Sequence, residues 1–352
     1  MSNTVLVTGG SGYIASFCIA QLLNEGVEVR TMVRSLAREG EIRAAVGKIS
    51  AAGDRLRFFV ADLNADKGWR EAVAGCDAVL HVASPLPANN PKDDQELIRP
   101  ARDGALRVLA AARDAGVKRV VMTSSTAAIT YGRGGRSEPF SEADWSDATN
   151  LADTSPYERS KIIAERAAWE WLAREGGTLE LVTICPAAVI GPVLGHDSSA
   201  SIDIVKRLLD GSIPGLPHMG YPLVDVRDIA DLHLRAMRAP EAAGQRYIGG
   251  GPFYWMSDIA RVLRERTPEL AKKTPKRALP GWVLRISAMF DPVVRGRLFE
   301  LDKERHVSAD KAKRELGWSP RSKGPSQDWG CGGQLAIFAF VLWPRVDAWR
   351  GC

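Results

Sequence analysis

The stretch Thr8-Gly9-Gly10-Ser11-Gly12-Tyr13-Ile14-Ala15 constrains this chain most. It follows the short apolar run Thr4-Val5-Leu6-Val7 and leads into residues 14–24, whose apolar positions fall at helical spacing before Gly26. A short apolar run closed by glycine reads as a buried strand, and glycine past the last periodic residue reads as a helix stop. Strand, glycine turn and helix in direct succession predict the start of a parallel sheet. Gly9 permits the tight turn. Gly12, with the backbone of Tyr13 and Ile14, opens the helix N-terminus to a pyrophosphate, and Ala15 is small enough for close helix–sheet packing.

The rest of the first half keeps the alternation. Strands are expected at residues 27–33, 56–60, 78–82, 118–123 and 179–185, with helices at 101–115 and 155–174 among them. This is an α/β pattern, a doubly wound parallel sheet with helices on both faces. From Gly191 to Gly220 the chain is rich in Gly, Pro and Ser around one helix at 201–209, and a smaller C-terminal substrate lobe is expected there. The chain returns to the sheet at 223–226, and Asp228 is expected to cap a helix to Met237. Ser257 and Asp258 open a further helix. The expected division is a cofactor domain at 1–190 with 221–249 returning to it, a lobe at 191–220 and 250–322, and an atypical tail at 323–352.

Composition bounds the partners. The chain has 352 residues, 45% hydrophobic and 25% charged, with a net charge of +5. That length suits two lobes and that balance a soluble globular protein. The densest basic run, Lys272-Lys273-Thr274-Pro275-Lys276-Arg277, flanks a proline and reads as a solvated connector, so no nucleic-acid partner is expected. The five cysteines, at 18, 76, 185, 331 and 352, show no CxxC or Cys/His ligand spacing, so no metal site is expected. A strand starting at Thr4 leaves no room for a signal peptide, and no apolar run approaches the ~20 residues of a membrane span. A cytoplasmic setting is the expectation.

Strand ends supply the candidate cofactor contacts. The second strand closes on Met32-Val33-Arg34-Ser35; a carboxylate there would bind the ribose of NAD, whereas Arg34 suits the extra phosphate of NADP. Asp62 and Leu63 follow the third strand beside an adenine position. Val82, Ala83 and Ser84 close the fourth with small side chains that leave room for ribose and pyrophosphate. Thr123 ends the fifth, and Pro186 with Val189 follows the sixth, where backbone groups reach a nicotinamide.

Thr123-Ser124-Ser125 also places hydroxyls at the carboxyl edge, where open α/β sheets bind ligands. Ser125 is the choice for holding a substrate carbonyl, with Ser124 the alternative, since adjacent strand residues face opposite ways. Tyr157 and Lys161 lie four apart in SPYERSK and share a helix face. A phenol has an ordinary pKa near 10, and a neighbouring ammonium lowers it. Tyr157 as proton donor, Lys161 as its tuner and ribose ligand, and Ser125 as hydrogen-bond donor suggest hydride transfer coupled to proton transfer at a carbonyl. His81 reads as a core histidine.

VTGGSGYIA, TMVRS, ADL, HVASP, VVMTSS, EADWSD, SPYERSK and ICPAAVIGP together resemble the extended short-chain dehydrogenase/reductase superfamily. The resemblance lies with its dihydroflavonol-4-reductase-like and cinnamoyl-CoA-reductase-like branch and runs over about residues 3 to 320. It implies a Rossmann domain binding NADP(H), a Ser125–Tyr157–Lys161 triad, and reduction of an aldehyde or ketone, a small-molecule carbonyl substrate, to an alcohol. Two stretches depart from the family pattern. Arg102-Asp103-Gly104-Ala105 stands where many relatives place an asparagine. The tail after Trp318 turns to KGPSQDWGCGGQLAIFAFVLWPRVDAWRGC, which reads as a reading-frame artefact or recent replacement, or alternatively as an interaction segment. Two further functional readings stay open, an NAD-retaining nucleotide-sugar epimerase or dehydratase and a non-catalytic NADP-binding regulator. The helices at 101–115 and 155–174 are candidates for a homodimer face. Trp145, Tyr131, His196, His218, Met219 and Tyr221 are candidate pocket residues.

Overall fold

The computed structural model describes residues 4–51, 53–85, 93–134, 136–195 and 199–321, with only the backbone at Pro292 and Val293. The expectations for His196 and for the tail at 323–352 lie outside these residues.

Strands β1 (Thr4–Val7), β2 (Glu28–Val33), β3 (Leu56–Val60), β4 (Ala78–His81), β5 (Arg119–Thr123) and β6 (Glu180–Pro186) form one parallel sheet. Short strands β7 (Ala188–Ile190), β8 (Leu216–Pro217) and β9 (Gly220–Asp225) follow, and β10 (Arg246–Gly249) then pairs in parallel with β6. The order across the large sheet is β10-β6-β5-β4-β1-β2-β3. The chain therefore reverses its direction of travel between β1 and β4, the point where open α/β sheets form a ligand crevice. This is the doubly wound parallel sheet that the alternating pattern predicts.

Helices α1 (Tyr13–Asn24), α2 (Glu39–Val46), α3 (Trp69–Val73), α4 (Gln95–Asp114), α5 (Ala127–Thr130), α6 (Pro156–Glu175), α7 (Ala200–Asp210), α8 (Val226–Arg238), α9 (Met256–Arg266) and α10 (Gly281–Phe290) complete the main elements. One sheet face packs on α1 and α8, the other on α4 and α6. Both faces of the central strands are covered, which is why β1 and β4 are buried along their whole length. A smaller sheet runs β11 (Phe253–Trp255), β9, β7, and β8 pairs with β12 (Ala278–Leu279). The 221–249 stretch thus rejoins the large sheet through α8 and β10, while β9 pairs with β7 and β11.

Two local expectations differ from the structure. The helix expected at 101–115 starts at Gln95 and runs through Pro100, which gives up one backbone hydrogen bond near the helix start. The cap of α8 is Asp225, whose carboxylate accepts the Arg227 N–H at 2.8 Å; Asp228 lies in the first turn and pairs with Arg321. Among the described residues, no helix is long and apolar enough to cross a membrane.

Candidate active site

The glycine turn has the form a dinucleotide needs. Gly9 has φ +71°, and a Cβ there would meet the Ala83 backbone at 3.0 Å. Glycine here therefore lets the backbone after β1 come close to that after β4 at the switch point. Gly12 is the N-cap of α1 and brings no side chain to cap it, so the first-turn N–H groups, including those of Tyr13 and Ile14, face the crevice without a side-chain acceptor. Thr8 Oγ1 accepts the Ala83 N–H at 2.9 Å and pairs with His81 Nδ1 at 3.0 Å. Burial, helped by the Lys161 charge, lowers the His81 pKa to about 3, so this ring is a neutral fixture of the turn.

Arg34 is exposed at the end of β2. Ser35 accepts the Ala37 N–H and starts a short turn, Leu36–Arg38. That turn brings forward a residue that sequence reasoning missed. Arg38 donates from Nη1 to Ser11 Oγ at 2.9 Å, inside the glycine turn, and its other nitrogens hold Glu41. Arg38 thus sets a guanidinium beside the glycine turn, and with Arg34 exposed four residues before it the two supply donors of the kind that fit a phosphate on the adenosine ribose. The sequence signal was an arginine five residues beyond the strand end.

Other expected cofactor positions divide. Asp62 uses one carboxylate oxygen to accept the Asn64 N–H at 2.8 Å, and Leu63 packs against Gly104 of α4. Val82 packs on the core beside Ala83. The Thr123 hydroxyl is turned away to His233 Nε2 at 2.7 Å. His233 Nδ1 lies 2.7 Å from the Ile229 carbonyl and so carries the proton, which makes Thr123 the donor to Nε2. The Pro186 carbonyl accepts the Thr126 N–H at 2.9 Å, and the Val189 carbonyl accepts the Ser199 hydroxyl. At Thr123 and at these two carbonyls, groups expected to face a cofactor are engaged within the protein.

The residues expected to do chemistry come together. Ser155 caps α6 in a capping box with Glu158, and Pro156 takes the first helical position. This fixes the turn that carries Tyr157, and Lys161 follows one turn later on the same face. Lys161 Nζ donates to Ser84 Oγ at 2.8 Å and lies 5.9 Å from the Tyr157 ring centre. The Ser125 hydroxyl acts on the phenol, lowering its pKa, and accepts the Ala127 N–H at 3.1 Å. Ser124 donates instead to buried Glu165 at 2.6 Å, so of the two serines Ser125 is the one that acts on the phenol.

The electrostatics differ from the expectation that Lys161 holds the phenol pKa down. Burial raises the Tyr157 pKa above its ordinary value, and Glu158 adds to the rise. The Ser125 hydroxyl and the charge of Arg297 pull it back. Lys161 is itself lowered to about 8 by burial, against the favourable charge of Glu165. Its ammonium is aimed at Ser84 rather than at the phenol.

Of the candidate pocket residues, Tyr131 donates to Glu300 at 2.7 Å, and Trp145 lies under Arg246 at 3.6 Å and Arg166 at 4.8 Å. His218 stacks on Trp255 at 3.9 Å. Tyr221 reaches Met219. Among the described residues, no cluster of three or more His, Cys, Asp or Glu is placed to hold a metal.

A profile of the NAD dependent epimerase/dehydratase family matches residues 5–249. Cinnamoyl-CoA reductase CAD2 of Medicago truncatula is 36% identical over 77% of this chain and 82% of its own length. Dihydroflavonol 4-reductase of Zea mays is 32% identical over 76% and 75%. The crystal structure of yeast methylglyoxal/isovaleraldehyde reductase Gre2 complexed with NADPH superposes with a TM-score of 0.75 at 28% identity, covering 91% of this chain and 94% of that one. A glycine cradle at the β1/β4 switch point, the SPYERSK helix beside it and these likenesses lead to one conclusion: the chain belongs to the NAD dependent epimerase/dehydratase family, in its cinnamoyl-CoA reductase and dihydroflavonol 4-reductase branch.

Proposed function

We propose that the chain is an NADPH-dependent carbonyl reductase that converts an aldehyde or ketone to an alcohol. One observation carries the reading. The Lys161–Ser84 hydrogen bond ties the helix face bearing Tyr157 to the end of β4, whose next residues lean on Gly9 of the glycine turn. A proton donor and a dinucleotide cradle thereby share one edge of the sheet. The relatives named cinnamoyl-CoA reductase and dihydroflavonol 4-reductase, and the NADPH-bound Gre2 structure, support the same chemistry.

In this reading the glycine turn holds the pyrophosphate, and Arg34 and Arg38 hold the ribose phosphate. Bound NADPH supplies the hydride that reaches the carbonyl carbon. Ser125 donates a hydrogen bond to the carbonyl oxygen, and Tyr157 gives that oxygen its phenolic proton, so that one hydride and one proton complete the alcohol. Lys161 holds the nicotinamide ribose and assists the phenolate that remains. The cofactor domain is assigned to the large sheet, with the substrate between it and the lobe built from 191–220 and 250–322.

The test is oxidation of NADPH, with NADH in parallel, against aliphatic and aromatic aldehydes, ketones and acyl-CoA thioesters. Turnover that prefers NADPH is expected. Absence of turnover with either cofactor across the panel would overturn the reading.

A further inference from the structure

Beside the Tyr157 turn stands a cation that the sequence reading did not anticipate. Arg297 lies between α10 and a short turn, Leu298–Glu300. Its backbone is fixed at both ends, its N–H on the Val294 carbonyl at 3.0 Å and its carbonyl on the Glu300 N–H at 3.1 Å. The side chain comes within 3.8 Å of Glu158 Oε1, beyond hydrogen-bond reach, on the residue next to Tyr157. Glu158 is buried and turns its other oxygen to the Ser155 N–H and hydroxyl, whereas the Arg297 side chain keeps 45% of its exposure. The guanidinium is therefore the solvent-side half of a loose pair with the residue next to Tyr157.

Its charged neighbours pair largely with one another. Glu300 accepts the Tyr131 hydroxyl at 2.7 Å and faces Arg305 at 3.5 Å. Asp153 takes Arg305 at 2.6 Å and also Lys303. Against burial, the Glu158 and Glu300 carboxylates raise the Arg297 pKa, and the Arg297 charge in turn lowers that of Tyr157. A guanidinium has five donors in a planar fork suited to bidentate contact with a carboxylate. Its one ion-pair contact among the described residues uses that fork poorly.

We infer that the carbonyl substrate carries a carboxylate, which Arg297 binds while the carbonyl sits at Tyr157. This rests on the reductase reading and deepens it to a substrate class, an oxo or formyl acid.

The test uses the full chain with NADPH and a matched pair, 4-formylbenzoate and its methyl ester, on wild type, R297Q and R297K. R297Q is expected to lower kcat/KM for the acid at least tenfold more than for the ester, chiefly through KM, with partial recovery in R297K. Calorimetry adds a readout independent of turnover, the binding of 4-(hydroxymethyl)benzoate and its methyl ester to the NADP⁺-loaded protein. Only the acid is expected to bind at least tenfold more weakly to R297Q. Equal losses for acid and ester in both measurements would overturn the inference while leaving ester turnover, and so the reductase reading, intact. No turnover of either aldehyde, with acid binding still dependent on Arg297, would sink the reductase reading instead.

Discussion

Lys161 and Ser84, 77 positions apart, meet through a 2.8 Å hydrogen bond between ammonium and hydroxyl. The bond sets how far the Tyr157 turn of α6 stands from the cradle, because Tyr157 lies one turn before Lys161 on the same face. Tyr157→Phe keeps this brace and removes only the phenolic proton. It is expected to lower kcat by roughly 10²–10⁴-fold while NADPH affinity, read by quenching of tryptophan fluorescence, stays near wild type. Wild-type turnover in that variant would remove Tyr157 from the reaction.

The two serines at the end of β5 separate by outcome. Ser125→Ala takes away the hydroxyl beside the phenol and is expected to cut kcat with little change in melting temperature. Ser124→Ala removes a donor to buried Glu165 and is expected to cost about 1–3 kcal/mol of stability with the chemistry largely intact. Urea titration and steady-state kinetics on both variants test the assignment, and reversed phenotypes would contradict it.

Arg34 and Arg38 are expected to set the cofactor preference. Hydrogen bonds to a charged group contribute about 1.5–3 kcal/mol, so Arg34→Ala should weaken NADPH binding roughly ten- to a hundredfold. NADH, which lacks the ribose phosphate, should be little affected. Equal weakening of both cofactors would show that Arg34 acts on the fold rather than on the phosphate.

Glu165 makes the strongest stability prediction. It is fully buried and accepts from Ser124 at 2.6 Å, Thr183 at 2.8 Å and Arg246 at 2.8 Å. Glu165→Ala would leave the Arg246 guanidinium buried without its anion, at a cost of about 3–5 kcal/mol. A shift of the urea midpoint within experimental error would refute this.

Acid should loosen the fold in a defined window. Burial lowers His81 to about 3 and His233 to about 4, both below the ordinary 6.5 of an unfolded histidine. Between about 6.5 and 4 the unfolded chain takes up protons that the native one refuses, so each histidine costs about 1.4 kcal/mol per pH unit on acidification. Asp228 runs the other way, since burial raises it to about 6 against the charge of Arg321. The native state then gains stability from Asp228 as the pH falls from 6 toward 3.8. The net expectation is a loss of about 1.4 kcal/mol per unit below pH 6. Urea midpoints at pH 7, 6, 5 and 4.5 check it, and a flat profile would contradict it.

The sheet and its switch point were legible in the sequence because strand, glycine turn and helix are local patterns with local causes. Tyr157 and Lys161 were legible for the same reason, since one helix turn carries both. What failed to read was set by partners distant in sequence. Thr123 looked like a crevice hydroxyl, but His233, 110 residues on, takes it. Asp228 looked like a cap, yet the chain bends one turn earlier and Asp225 does that work. Arg38 depended on a short turn that no periodicity announces. Arg297 depended on a segment beyond α10 folding back over the start of α6, and the fall in Tyr157 pKa expected from Lys161 depended on where a flexible ammonium would point.

The Glu165 anchor bears on how such a protein can change over time. Glu165 stands one turn beyond Lys161 and is locked to β10 by Arg246, whose guanidinium also clamps Trp145 and the backbone of Glu142 and Asp144. The helix that presents the phenol is thereby fastened one turn beyond Lys161, along the same row of i,i+4 positions. Loops above it can be lengthened, shortened or resurfaced to admit new ligands without disturbing that mount. Diversification in a family with this anchor should therefore run through the lobe, while the position of the phenol is inherited unchanged.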